Sequence, residues 1–251
     1  MLVMGILNVT PDSFADGGKH NDFESAVARG LEMIAEGVDI IDIGGESTRP
    51  GADRVSEEEE IARTIPVIRE LAKHGVKISI DTMRASTAKA AIDAGASIIN
   101  DVSGGLADPL MLQTAAALKV PYIAMHWRGQ SKDMNSMAIY GDVVSDVISE
   151  LQERVDAALD AGITAENLII DPGLGFAKDA DHNWAIIDAI DQFVALGYPV
   201  LVGASRKRFL GGDTPDEREQ ATIDLTKRLA PTGVWAVRVH SVKPHKEVLA
   251  V

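Results

Sequence analysis

One pattern recurs along this chain of 251 residues: a short apolar run that ends in a polar side chain and turn-forming residues. The stretch Leu168–Phe176 shows it most clearly, because Pro172 prevents the strand from continuing inside a sheet and two glycines permit a close turn. Similar stretches occur at residues 40–46, 78–82, 98–102, 200–207 and 237–240. Each predicts a buried strand that carries polar chemistry at its carboxyl end.

The spacing of these runs predicts the fold class. Predicted strands begin roughly 30 residues apart on average, and helix patterns fill most of the intervals. The predicted starts lie near Met4, Asp39, Lys77, Ser97, Pro121, Leu168, Tyr198 and Val234. Eight strand–helix units in one domain over residues 1–251 favour a (β/α)8 TIM barrel, with a doubly wound parallel sheet as the alternative. In a barrel the carboxyl ends of all the strands meet on one face, so the polar ends would form a single pocket.

Segments with the sequence pattern of helices lie between the strand-like apolar runs. Helical spacing of apolar residues predicts a helix over Asp22–Glu36 that Gly37 ends. Ser56 with the acids that follow it is typical of a capped helix start, and that helix extends to about His74. Two further helices are predicted over Asp142–Ala161 and Pro215–Ala230. Residues 8–18 lack periodicity and predict a long loop of the kind that often carries function.

Composition excludes several classes of protein. The net charge of −14 and the pI near 4.8 argue against nucleic-acid and anionic-membrane partners, so an anionic ligand would need a locally basic pocket. With no cysteine, a disulfide framework, a thiolate nucleophile and a thiolate metal site are excluded. The apolar runs are strand-sized and the first residues lack a basic signal-peptide start, so we expect a cytoplasmic protein.

Taken jointly, the motifs identify a resemblance. The segments that carry it are residues 4–14, 44–50, 80–82, 99–101, 171–176, 205–207 and 238–240. In this order they resemble dihydropteroate synthase from Val3 to about Val242, and the form Met125–Arg128 resembles actinobacterial members. The resemblance implies condensation of 6-hydroxymethyl-7,8-dihydropterin diphosphate with 4-aminobenzoate, with Mg²⁺ present, to give 7,8-dihydropteroate and diphosphate in folate biosynthesis.

The resemblance also implies a pterin site. An amide beside an amino group forms a donor pair that one carboxylate accepts, which makes Asp171 the natural anchor. Lys207 would reach both the ring carbonyl and the incoming aminobenzoate. The full expected set is Asp81, Asn100, Met125, Asp171, Phe176 and Lys207. On residue type alone, Met125 and Phe176 are also compatible with a role in the core, and Asp81 and Asn100 with a supporting role.

Two further sites are expected beside the pterin. Diphosphate would be bound by Asn8, Arg49, Arg238 and His240, with Asn8 as the Mg²⁺ ligand. The 4-aminobenzoate site would comprise Phe14, Thr48, Arg49, Pro50, Gly175 and Ser205. Early loss of diphosphate would leave a pterin cation, and the expected catalytic residues are Asp81, Lys207, Arg238, His240, Asp16 and Arg49. The neutral aniline nitrogen needs no strong base before it attacks.

Two departures from the family pattern and two alternatives accompany this prediction. Ser241 stands where the family commonly has Asp, and the interval between Lys207 and Arg238 is short. Arg206 is expected to form an outward ion pair rather than a ligand contact. A methyltetrahydrofolate:corrinoid methyltransferase-like barrel and a catalytically idle pterin-binding paralogue are the alternatives. The resemblance further implies a homodimer and inhibition by sulfonamides, which mimic 4-aminobenzoate.

Overall fold

Eight parallel strands surround a common axis in the computed structural model, which describes residues 1–10, 19–46, 54–130 and 134–250. The strands are β1 (Leu2–Asn8), β2 (Ile40–Gly44), β3 (Lys77–Asp81), β4 (Ile98–Asp101), β5 (Tyr122–Met125), β6 (Leu168–Asp171), β7 (Leu201–Val202) and β8 (Ala236–Val239). Strand β1 pairs with both β2 and β8, and a parallel bridge between Ile170 and Val200 joins β6 to the β7 segment. The sheet therefore closes, which confirms the (β/α)8 barrel and rules out the doubly wound alternative.

Helices cover the outside of the barrel. They are α1 (Lys19–Ala35), α2 (Glu57–Leu71), α3 (Ala85–Asp93), α4 (Met111–Leu118), α5 (Val143–Asp160), α6 (Ala180–Asp188), α7 (Ile190–Val194), α8 (Glu219–Leu229) and α9 (Val242–Leu249). Ser56 caps α2 as predicted, because its hydroxyl accepts from the backbone N–H of Glu59 at 3.2 Å. Asp142 caps α5 in the same way. No helix in the described ranges is both long and apolar enough to cross a membrane.

The barrel interior has an apolar floor. Seven strands contribute to it, with Met4, Ile40, Ile98, Ile123, Ile169, Leu201 and Ala236 all buried in one cluster. Side chains alternate across a strand, so the residue two positions further along faces the interior one layer nearer the carboxyl end. Those next positions are Ile6, Asp42, Asn100, Met125, Asp171, Gly203 and Arg238. The strand period thus places a mostly polar layer directly above an apolar one.

The opposite faces of the strands pack against the helices. This outer core includes Val3, Leu7, Ile41, Ile43, Ile78, Ile80 and Tyr122, each at most 1% exposed. Strands that are buried on both faces explain why the runs read as continuous apolar segments without alternation. Chemistry is consequently confined to the positions near the carboxyl end of each strand, where the inward side chain reaches the mouth of the barrel.

Candidate active site

One arginine connects three strands at the mouth of the barrel. Arg238 on β8 donates from Nε to Asp42 Oδ2 and from Nη2 to Asp81 Oδ2, both at 2.6 Å. Asn100 on β4 donates from Nδ2 to the same Asp42 oxygen at 3.1 Å. Arg238 Nη1 forms no hydrogen bond within the described part of the chain. The arginine is therefore fixed by two carboxylates while its side chain keeps 20% exposure.

Burial sets the electrostatics of this group. Asp42 is fully buried and Asp81 is 7% exposed. Burial raises the pKa of Asp81 to about 7, against the lowering effect of Arg238, and Asp42 raises it further. Burial lowers the pKa of Arg238, but the nearby carboxylates of Asp42 and Asp81 outweigh it, so the net pKa is raised and the guanidinium stays charged. Two acids and one permanent cation thus share one low-dielectric mouth.

Asp171 ends β6 and begins the turn that the sequence singled out. Its Oδ1 accepts from the backbone N–H of Gly173 at 2.7 Å, and the side chain is only 5% exposed. Burial raises its pKa, while the Gly173 N–H, Lys207 and Arg238 oppose that shift. Gly203 lies close to the second oxygen, since a Cβ built there would meet Asp171 Oδ2 at 3.7 Å. An acceptor oxygen therefore lines the mouth beside a strand end without a side chain.

Lys207 closes the other side of this turn. Its ammonium donates to the carbonyl of Leu174 and lies 4.5 Å from the centroid of the Phe176 ring. Burial lowers the pKa of Lys207 to about 8, and Asp171 acts in the opposite direction. Gly175 permits this approach, because it has a φ of 76° and an added Cβ would lie 2.7 Å from Lys207 Cδ. Gly173 and Gly175 thus permit close contacts with neighbouring groups as well as the reversal of the chain.

An apolar wall completes the pocket. Met125 is 4% exposed and packs in one cluster with Met83 and Val102, against which Phe176 and Trp127 also pack. Met125 faces the interior two positions after Ile123, as the strand period requires. An apolar wall beside the polar side chains of Asp171, Asn100 and Asp81 is typical of a site for a flat ligand with polar edges.

A serine and a histidine contact each other where β8 ends. The Ser205 hydroxyl is 2.9 Å from His240 Nδ1 and also accepts from the His240 backbone N–H at 3.2 Å. This contact fixes the imidazole on the side of the mouth occupied by Arg238, two residues earlier. The neighbouring Arg206 points outward, as predicted, and donates to Glu219 at 2.7 Å and to the Ser241 hydroxyl at 2.9 Å. Ser241 therefore accepts a hydrogen bond from Arg206, where an aspartate at the same position would form an ion pair.

The structure describes most of the predicted site residues, but five of them lie outside the described ranges. It brings together Asp81, Asn100, Met125, Asp171, Gly175, Phe176, Ser205, Lys207, Arg238 and His240 at one end of the barrel. Asn8 ends β1 on the same face and is partly exposed. Phe14, Asp16, Thr48, Arg49 and Pro50 lie outside the described residues. The predicted roles of these five residues stay predictions.

Sequence reasoning missed three buried polar residues at or below the mouth. Asp42 binds Arg238 and Asn100, and its one available signal was a carboxylate inside an apolar strand run. His126 and Lys178 form a buried hydrogen bond of 2.8 Å beneath the Asp171 turn. Their pairing depends on a contact 52 positions apart, which no local pattern reveals.

Together, the fold and the site define a (β/α)8 barrel enzyme with a buried carboxylate acceptor, a partly buried lysine of lowered pKa and a fixed arginine around one mouth. The family model for pterin binding enzymes matches residues 4–240. A dihydropteroate synthase from Mycobacterium leprae is 49% identical over 259 residues, covering 99% of this chain and 91% of that relative. The chain belongs to the dihydropteroate synthase family of pterin-binding enzymes.

Solved structures agree with this assignment. A dihydropteroate synthase from Xanthomonas albilineans with 4-aminobenzoic acid superposes with a TM-score of 0.93 at 43% identity, covering 99% of this chain and 90% of that one. A structure of the synthase from the same organism, in complex with 7,8-dihydropteroate, gives a TM-score of 0.90 at 40% identity, with coverage of 99% and 91%.

Proposed function

We propose that this chain condenses 6-hydroxymethyl-7,8-dihydropterin diphosphate with 4-aminobenzoate, giving 7,8-dihydropteroate and diphosphate. One observation carries the proposal: Asp171, Lys207 and Arg238 open onto the same mouth, although they lie on different strands or the loops that follow them. Asp171 would accept the amide and amino protons of the pterin, and Asn100 would bind its remaining polar edge. Met125 and Phe176 would contact the two ring faces.

Bond breaking would depend on stabilising the departing diphosphate. Arg238 keeps 20% of its side chain exposed at the carboxyl end of β8, and His240 follows two residues later on the same side of the chain. A fork of N–H donors suits phosphate oxygens. The C–O bond would break early, leaving a cation conjugated into the pterin, which the carboxylate form of Asp81 would stabilise. Lys207, with a pKa of about 8, would hydrogen-bond the ring carbonyl in its charged form. The neutral aniline nitrogen of 4-aminobenzoate then attacks and loses its proton to water.

Asn8 is the proposed protein ligand for Mg²⁺. It ends β1 at the mouth, partly exposed, and lies on the same inward-facing period as Met4. Its amide oxygen is a hard ligand, and Mg²⁺ commonly binds one or two protein oxygens together with phosphate oxygens and waters. The donor set therefore fits a cation that arrives with the diphosphate. When bound, Mg²⁺ would neutralise charge on the leaving group.

Further parts of the proposal rest on the resemblance. Phe14, Thr48, Arg49 and Pro50, with Gly175 and Ser205, would form the aminobenzoate site; Asp16 and Arg49 would join the catalytic group. Sulfonamides would compete there because they mimic 4-aminobenzoate. We also propose one barrel domain over residues 1–251, a homodimer and a cytoplasmic location.

Diphosphate release tests the proposed reaction. Purified protein, pterin diphosphate and Mg²⁺ are incubated with and without 4-aminobenzoate, and diphosphate is quantified. The synthase requires diphosphate release that depends on 4-aminobenzoate, and formation of 7,8-dihydropteroate that falls when a sulfonamide is added while 4-aminobenzoate is subsaturating. Binding of the pterin without release would instead identify the idle paralogue.

A further inference from the structure

A second charged cluster lies beneath the turn that carries Asp171, and the proposed reaction does not use it. We call it the support cluster: His126, Arg128, Tyr140, Glu150 and Lys178. Arg128 binds Glu150 through Nε at 2.9 Å and lies 3.8 Å from the centroid of the Tyr140 ring. Glu150 Oε2 is 2.9 Å from His126 Nε2. His126 and Lys178 are at least nine-tenths buried, at 1% and 9% exposure.

Lys178 links this cluster to the pterin-binding turn. Its Nζ has three acceptors: His126 Nδ1 at 2.8 Å, the Gly173 carbonyl at 3.1 Å and the Phe176 carbonyl at 3.2 Å. An ammonium group has three N–H donors and no acceptor, so this environment matches its charged form. Two of the acceptors belong to the turn between Asp171 and Phe176. The lysine therefore holds that turn from behind.

The proton positions follow from the neighbours of Lys178. Hydrogen bonds from His126 and Arg128 lower the pKa of Glu150 to about 2, so its oxygens accept. His126 Nε2 must then carry the proton. Burial lowers the pKa of His126 to about 4, which leaves the imidazole neutral near pH 7 with Nδ1 free of a proton. Burial lowers the pKa of Lys178 well below its ordinary value, and Asp171 acts in the opposite direction. The three acceptors around Nζ match the ammonium form.

The backbone beside Lys178 adopts an uncommon conformation. Ala177 is fully buried with a φ of 49°, in the left-handed region that disfavours residues with a Cβ. This conformation turns the chain so that Lys178 returns toward Gly173, and the Tyr140 hydroxyl donates to the Ala177 carbonyl at 2.9 Å. Such a conformation persists only where the surroundings determine it, and it is common at ligand-binding sites.

We propose that Lys178 is a positioning residue for the pterin, holding the carbonyls of Gly173 and Phe176 so that Asp171 and Phe176 face the ring. Glu150 and His126 keep the acceptor of Lys178 in the required tautomer. The inference rests on the proposed function, because it assigns the pterin to this turn. Lys178 also places a third positive charge near Asp171, in addition to Lys207 and Arg238.

The affinity of the pterin substrate tests this role. The dissociation constant of 6-hydroxymethyl-7,8-dihydropterin diphosphate is measured by calorimetry without 4-aminobenzoate, so that no turnover is needed. Lys178→Met should raise it about tenfold or more, as expected for lost charged hydrogen bonds. Lys178→Arg, which keeps a cation and donors, should recover part of the affinity. Lys89→Met, at a lysine side chain that is 60% exposed, should change nothing. An affinity of Lys178→Met within twofold of the unmodified protein overturns the proposal.

A pH series separates this role from simple support of the fold. Asp171 faces Lys178, Lys207, Arg238 and the Gly173 N–H, so removal of one cation should raise its pKa. The acid limb of pterin binding in Lys178→Met should therefore lie at higher pH than in the unmodified protein. An unmoved limb contradicts the electrostatic part of the proposal.

The histidine tautomer provides a test that requires no variant. Nitrogen NMR of the unmodified protein at pH 7 should show His126 protonated at Nε2 alone. An Nδ1–H tautomer or an imidazolium overturns the proposed hydrogen-bond order, even if Lys178→Met fails to fold. Neither result depends on catalysis. A protein that shows the predicted tautomer and binding loss but releases no diphosphate would instead contradict only the proposed reaction.

Discussion

Replacing Arg238 by methionine should destabilise the barrel in a pH-dependent manner. The substitution removes the shared partner of two buried carboxylates, each of which accepts from Arg238 at 2.6 Å. Breaking a buried pair by removing one partner costs about 3–5 kcal/mol, so we expect that loss in the free energy of unfolding at pH 8. At pH 5 Asp81, whose pKa is about 7 even beside Arg238, is protonated. The loss at pH 5 should then be smaller by at least about 1 kcal/mol.

Urea denaturation at both pH values measures this difference. Arg228→Met is the matched control, because Arg228 pairs with Asp188 on the surface with both side chains about half exposed or more, at 49% and 65%. That control should lose less than about 1 kcal/mol. Adding Asp81→Asn to Arg238→Met should recover stability at pH 8. The reasoning is refuted if Arg238→Met loses the same free energy at pH 5 and pH 8, or no more than the control.

Three further predictions test separate parts of the site. Burial raises the pKa of Asp81 to about 7, so its contribution to stability is full below about pH 4 and is lost as the pH rises toward 7. Asp81→Asn should therefore flatten the dependence of the unfolding free energy on pH in that window, as measured by denaturation. Lys207 has a pKa of about 8, so kcat/KM should fall above that pH, and Lys207→Arg should remove this alkaline limb. Gly175→Ala should lower kcat/KM, because the added Cβ would meet Lys207 at 2.7 Å. Gly197→Ala is the control: Gly197 has a φ of 86° and an added Cβ would have no neighbouring atom within 4 Å, so this variant should lose about 1 kcal/mol of stability with activity intact. Equal activity losses for the two alanines would contradict the contact argument.

The strands were the most predictable part of the fold. Predicted starts at Lys77 and Leu168 agree with the structure, and the others lie within a few residues. Continuous apolar runs with turn residues after them are a strong local signal. The start of α8 was less predictable: the expected helix began at Pro215, but the chain forms turns as far as Arg218 before Glu219. Arg218 binds the carbonyls of Gly211 and Gly212, and these side-chain contacts hold the turns.

The site was predictable where function leaves a local motif. Asp171 ends β6 before a glycine-containing turn, and Lys207 lies in the loop after β7, so their positions follow from the barrel topology. Asp42 was not assigned, because its role depends on Arg238, which is 196 positions away. Lys178 was missed for the same reason: a lysine after a turn is usually solvated, and only packing shows that it is buried against His126.

The affinity of Asp171→Asn for 6-hydroxymethyl-7,8-dihydropterin diphosphate tests the central claim most directly. An asparagine in place of the carboxylate presents an NH₂ group to one of the two pterin donors, which removes one charged hydrogen bond and weakens the other. At about 1.5–3 kcal/mol for each charged hydrogen bond, the dissociation constant should rise about a hundredfold. A dissociation constant within threefold of that of the unmodified protein would show that the pterin does not bind at this turn. That result would contradict the claim that Asp171 binds the pterin at the mouth of the barrel.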